Sequence, residues 1–223
     1  MLALPNSKLM LKSMQYKSEE RCQKIKDTMA LYGIESDRLL IEGPSPHAEL
    51  LDAYNKVDIS LDPWPYSGGL TTCESFLMGV PVVSLPGPTF AGRHSATHLI
   101  NAGMPELVVS SWEEYRERVL ELASDLDSLS TIRQHLRQVL LESPVCDASR
   151  FAKHFTDAMR SIWQRHCEGK QPAALTFDKM GLAKFEDEET PVNVVYAESM
   201  ESGAVGFNWS LPSKIIALDN GSK

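Results

Sequence analysis

Cysteine is scarce and scattered in this chain. Cys22, Cys73, Cys146 and Cys167 are the only four among 223 residues. None stands at CxxC spacing or beside histidines in a zinc-ligand pattern, which argues against a zinc finger and a thioredoxin-like redox motif. Positive charge is also short: 22 Lys and Arg against 30 Asp and Glu leave a formal net charge of −8. That balance opposes a role in coating nucleic acid or an anionic membrane, both of which need clustered cations. No apolar run approaches the roughly 20 residues of a membrane span. The opening MLALPNSKLMLKS is too short and too interrupted for a secretory signal. GxSxG, HExxH, the P-loop and the dinucleotide GxGxxG fingerprint are missing. The expectation is a cytoplasmic protein with no nucleic-acid partner, no membrane span, no metal and no resident cofactor.

What is present is a regular alternation. At 43% hydrophobic and 23% charged, the chain can bury an ordinary core. From residue 18 to about 165, helical and strand patterns take turns. SEERCQKIKDTMALYGI has helical spacing and a glycine at its end, and RLLIEG reads as a strand. PHAELLDAYNKV, TTCESFLMG and GRHSATHLINAG continue as helices, with DISLDPWP, PVVSLPG and ELVVSS as the strands between them. Strands alternating with helices through short Gly/Pro loops predict an α/β fold, a Rossmann-like parallel sheet with helices on both faces. Three helices follow: WEEYRERVLELASDL, LSTIRQHLRQVLLES and SRFAKHFTDAMRSIWQRHCEG. Residues 1–168 therefore read as one lobe with its terminal helices. Residues 169–223 read as an acidic extension, either poorly ordered or part of an unfinished second domain. Its run Glu186-Asp187-Glu188-Glu189 is taken as solvated tail.

The chemistry concentrates in DISLDPWPYSGGLTTCES. A parallel sheet binds ligands beyond the carboxyl ends of its strands, and this stretch crosses from a strand end into a helix. Gly68 and Gly69 allow backbone amides to approach an anion. Thr71 and Thr72 stand where first-turn amides and the helix dipole favour phosphate. Glu74 is placed to accept bonds from vicinal hydroxyls such as those of a ribose. The same spacing also suits an ordinary loop with a threonine cap and a first-turn acid. His47 opens another helix at the same sheet edge, where an imidazole can meet a base, a ribose or a phosphate. Arg93 and His94 open a third, while His98 reads as packing and Asp62, before Pro63, as a turn residue.

HAELLDAYNKVDISLDPWPYSGGLTTCESFLMGVPVVSLPG, followed by AGRHSATHLINAGMPELVVSSWEEY, resembles the C-terminal catalytic lobe of O-linked N-acetylglucosamine transferases. The bacterial members linked to tetratricopeptide repeats are the better match, and the likeness spans roughly residues 5–170. The resemblance implies a GT-B fold and a glycosyltransferase using a UDP-sugar, UDP-N-acetylglucosamine foremost, to modify Ser/Thr of proteins with inversion. His47 would contact uridine, Gly69, Leu70, Thr71 and Thr72 would line the diphosphate loop, and Glu74 would hold the ribose. Gly68 and Arg93 complete the donor-binding set. The base, the first lobe and the repeats that bind the protein acceptor would lie outside this chain, leaving the fragment inactive alone. Ser67 replaces the family's Asn before Gly-Gly, Leu70 the first of three Thr, and Pro63 a Thr. Two other readings accompany this one: a degenerate, non-catalytic interaction module, and a GT-B transferase acting on glycan or lipid.

Overall fold

A computed structural model describes residues 1–178 and 180–194. The chain forms two compact units, Met1–Lys153 and a second from His154 onward.

In the first unit, β1 (Leu9–Lys12) and β2 (Leu39–Glu42) pair in parallel over four residues, from Leu9 opposite Leu39 to Lys12 opposite Glu42. The crossover between them is α1 (Glu19–Leu31). Ser18 caps that helix, its Oγ accepting from the Arg21 amide, and Glu19 and Glu20 face the positive end of the dipole. Gly33, with φ of 74°, turns the chain out of the helix in a conformation that a side chain resists.

After β2 comes α2 (His47–Ala53). Then β3 (Ser60–Leu61) pairs in parallel with β4 (Val82–Val83), α3 (Leu70–Leu77) forming the crossover. The ladder extends one step through a parallel bridge between Ser84 and Val108. Next are α4 (His94–Asn101), α5 (Trp112–Ser124) and α6 (Leu126–Leu141).

The α/β expectation holds, with parallel strands and intervening helices. The ladders are shorter than the apolar runs suggested, and among the described residues no ladder joins β1 to β3. ELVVSS, read as a strand, contributes only the Val108 bridge. Its first residues instead complete a 3-10 turn over Pro105–Leu107, because Pro105 presets a turn φ and has no amide to give a ladder.

The core lies where α3, α4 and α6 cover β4. Phe76, Val83, Leu99, Leu107, Leu136 and Leu140 are all fully buried there. Burying a side chain of this size contributes about 1.5–3 kcal/mol, so this cluster anchors the segment that carries α3. Gly79 permits the close approach of α3 to α6, since a Cβ there would lie 2.6 Å from the Arg133 carbonyl oxygen.

The helix α7 (Ala148–Cys167) runs into the second unit, where β5 (Leu175–Phe177) and β6 (Ala183–Phe185) form an antiparallel hairpin. Arg165 lies over the Phe185 ring at 4.5 Å and reaches Asp187 at 2.6 Å and Glu188 at 3.3 Å. Lys170 adds a bond to Glu188 at 2.9 Å. The acidic run is therefore not simply solvated tail: a buried guanidinium needs anionic partners, and two of the four acids supply them. No helix of the described residues is long and apolar enough to cross a membrane.

Candidate functional site

Where β3 ends, the chain leaves the sheet through Asp62 and returns to it as α3. Asp62 is 7% exposed. Its Oδ1 accepts from the Gly68 amide at 2.8 Å and from Ser95 Oγ at 2.8 Å. Its Oδ2 accepts from Ser84 Oγ at 2.6 Å, and its carbonyl oxygen accepts from the Tyr115 hydroxyl at 3.1 Å. Burial, and then the Asp62 charge, push the Tyr115 hydroxyl up, so it stays a neutral donor. Sequence reading took Asp62 for a turn residue; it is instead the node that ties the glycine loop to β4 and α4. The clue available in the sequence was Ser84, a hydroxyl inside the apolar run PVVSL, since a buried hydroxyl requires a partner.

Around this node, Ser67 is buried. Its amide donates to the Ala91 carbonyl at 3.0 Å, and its Oγ accepts from the Ser95 amide at 3.3 Å. The departure from the family's Asn at this position thus falls on a packed residue behind the loop. Thr72 is buried as well, with Oγ1 3.1 Å from the Gly68 carbonyl and 2.8 Å from Ser95 Oγ. Thr71 is exposed, and its carbonyl accepts from the Tyr54 hydroxyl at 3.2 Å. Burial, reinforced by the Glu74 charge, raises the Tyr54 hydroxyl to about 12. Gly68 has no room for a side chain, since a Cβ would meet Thr72 Oγ1 at 2.7 Å and Thr71 Oγ1 at 2.8 Å.

These residues bound a cleft of about 560 Å³, lined by Tyr54, Asp62, Tyr66, Gly68, Gly69, Leu70, Thr71, Thr72 and His94 among others. The first turn of α3 opens on it, where the dipole is positive and helix amides lack the usual acceptors, although the Thr72 amide donates to the Gly69 carbonyl at 3.2 Å. Leu70 is well exposed at its mouth.

Beside the cleft, His47 Nε2 lies 2.8 Å from Glu74 Oε1, the histidine side chain 67% exposed and the glutamate 6%. The two strand-to-helix junctions are thus joined by a direct bond. Arg93 is placed differently: it is exposed and donates through Nε to the Gly87 carbonyl at 3.3 Å. His94 and not Arg93 lines the cleft. His98 is half-buried, its imidazole held below its usual range by burial and then by His94.

The arrangement offers amides, a helix dipole and the Thr71 hydroxyl to an anion, with a carboxylate–imidazole pair beside them. Comparison with known proteins agrees with the resemblance read in the sequence. The family model Glycosyl transferase family 41 matches residues 1–155. A probable UDP-N-acetylglucosamine–peptide N-acetylglucosaminyltransferase SPINDLY of Hordeum vulgare is 34% identical over 225 residues, covering 99% of this chain and 24% of the relative. Its counterpart in Oryza sativa is 37% identical over 177 residues, covering 79% and 19%. Among solved structures, a mutant O-GlcNAc transferase of Thermobaculum terrenum aligns with a TM-score of 0.71 at 36% identity, over 75% of this chain and 32% of that one. The chain spans about a quarter of the length of the barley relative. By the extent of the family match and by the shared fold, this chain belongs to glycosyl transferase family 41.

Proposed function

We infer that this chain is the donor-binding part of a protein O-glycosyltransferase that takes N-acetylglucosamine from UDP-N-acetylglucosamine and places it on Ser/Thr hydroxyls with inversion. The observation that carries the reading is the cleft at the start of α3, lined by Gly68, Gly69, Leu70 and Thr71, on the same helix as Glu74, which is bonded to His47. Names of the relatives support it, since they specify that donor and a peptide acceptor.

In this reading the diphosphate lies against the first-turn amides of α3 and the Thr71 hydroxyl. Glu74 accepts from the ribose hydroxyls, and His47, already oriented by Glu74, meets the uridine. Inverting transfer needs charge stabilisation at the departing UDP. Fixed amides and a helix dipole supply it with no reorganisation when the bond breaks. The acceptor base and the repeats that bind the protein acceptor are assigned to the parts of the whole protein that this chain does not cover. No resident metal is assigned, and transfer by the full-length protein is expected to be unchanged by EDTA.

Titration calorimetry with UDP, and transfer assays of the full-length protein with a panel of nucleotide sugars and a peptide library, test this. The expected result is UDP binding and preferred use of UDP-N-acetylglucosamine on hydroxyl-bearing peptides. Absence of heat with UDP, or preference for another nucleotide, overturns it.

A further inference from the structure

We propose that Asp62 is the positioning residue of the diphosphate loop. Through Ser95 it turns the Thr72 hydroxyl inward, leaving Thr71 and the first-turn amides of α3 as the groups that meet the ligand. This rests on the donor-binding reading and divides its two threonines between different roles.

The argument is one of hydrogen-bond direction. A carboxylate only accepts, and a serine hydroxyl has a single proton. Ser84 Oγ and Ser95 Oγ stand 2.6 and 2.8 Å from the two oxygens of Asp62, so both protons point at the carboxylate. Ser95 Oγ, its proton used, is an acceptor toward Thr72 Oγ1 at 2.8 Å. The Gly68 carbonyl, 3.1 Å from Thr72 Oγ1, is the other acceptor within reach of Thr72. Both face inward. Even with the Ser95 proton turned to Gly68, whose carbonyl is 2.9 Å away, Thr72 still donates into the protein. Its hydroxyl therefore cannot donate to a phosphate in the cleft.

Thr71 differs by one residue and by its surroundings. It is exposed on the cleft, and its side chain is free to rotate its proton toward an anion. Meanwhile the Gly68 amide is held on Asp62 Oδ1 at 2.8 Å. That bond points this amide inward and sets the turn from which the next amides emerge. A charged acceptor makes such a bond shorter and stronger than a neutral one, which suits a loop that must stand ready before the ligand arrives.

The test compares UDP with uridine, which lacks the diphosphate, on the full chain by NMR titration. Folded Ser95→Ala and Asp62→Asn are each expected to weaken UDP about tenfold, a difference of roughly 1.4 kcal/mol, with uridine unchanged; the thermal midpoint falls, since each change leaves a buried group short of a partner. Thr71→Val is expected to weaken UDP similarly with no change in the Gly68 amide. Hydrogen exchange at that amide is the second readout: slow in the parent and accelerated in Ser95→Ala and Asp62→Asn. Folded Ser95→Ala and Asp62→Asn variants that lose UDP and uridine equally, or neither, overturn the proposal, as does Gly68 exchange that does not change. A parent chain that binds neither compound sinks the donor-binding reading instead. In that event the Gly68 exchange alone decides whether Asp62 positions the loop.

Discussion

Two strand-to-helix junctions meet at one edge of this fold, and they are built on opposite plans. At the start of α3, the turn is backed by buried groups: Asp62, Ser67, Thr72, Ser84 and Ser95. At the start of α2, His47 is 67% exposed on its side chain, and Pro46 ahead of it offers no side-chain cap. One junction is set by a closed network of short hydrogen bonds, the other by a single bond from an exposed imidazole to Glu74. A network in a low-dielectric interior tolerates little, because each lost partner leaves a buried polar group unpaired. An exposed imidazole can be replaced at small cost. The comparison separates a preset turn from an adjustable flank.

Substitutions can sharpen or break that contrast. The largest effect is expected for Glu74→Ala, which removes the nearly buried carboxylate joining the two junctions. UDP affinity should fall roughly a hundredfold, the scale of a buried charge-assisted bond, as read by calorimetry. A loss no greater than that of His47→Ala would mean that the two sides are equivalent. Gly68→Ala comes next. Its Cβ would sit 2.7 Å from Thr72 Oγ1, and overpacking of this kind costs about 1–3 kcal/mol. Both thermal stability and UDP binding should drop. His47→Ala should have the smallest effect, about three- to tenfold on UDP in line with one partly exposed hydrogen bond, with a thermal midpoint that falls less than for Gly68→Ala, water taking the place of the imidazole at Glu74. A midpoint that falls as far as for Gly68→Ala would show that the flank is part of the scaffold after all.

Much of this was legible along the chain. Helical spacing and a capping serine announced α1, Gly33 marked its end, and the Gly-Gly-Leu-Thr-Thr stretch announced a turn into a helix start beside a cleft. These are local signals, encoded within a turn or two of the residues that carry them. The parallel strands were legible in kind but not in extent. Pairing depends on partners 20 to 30 residues away, as with Leu9 and Leu39, and an apolar run does not say how much of it will find one. Arg93 and His94 illustrate the same limit at the site. Both open α4, yet the one residue of rotation between them puts His94 on the cleft and Arg93 against the Gly87 carbonyl.

The acidic residues show it most sharply. Asp62 looked like a turn residue and is buried under four hydrogen bonds. Asp187 and Glu188 looked like tail and pair with Arg165. A carboxylate's neighbours in sequence say little about its environment, because what decides its role is the set of donors brought to it by distant segments.

By itself, then, the order of residues determined the α/β class, the succession of helices α1 to α7 and the position of the glycine–threonine turn, all properties of short-range sterics and apolar periodicity. Only the tertiary structure decided which threonine faces inward, which histidine meets Glu74 and which acid is buried. Those outcomes depend chiefly on hydrogen-bond partners supplied from 22 to 53 residues away, and no local rule of the chain contains them.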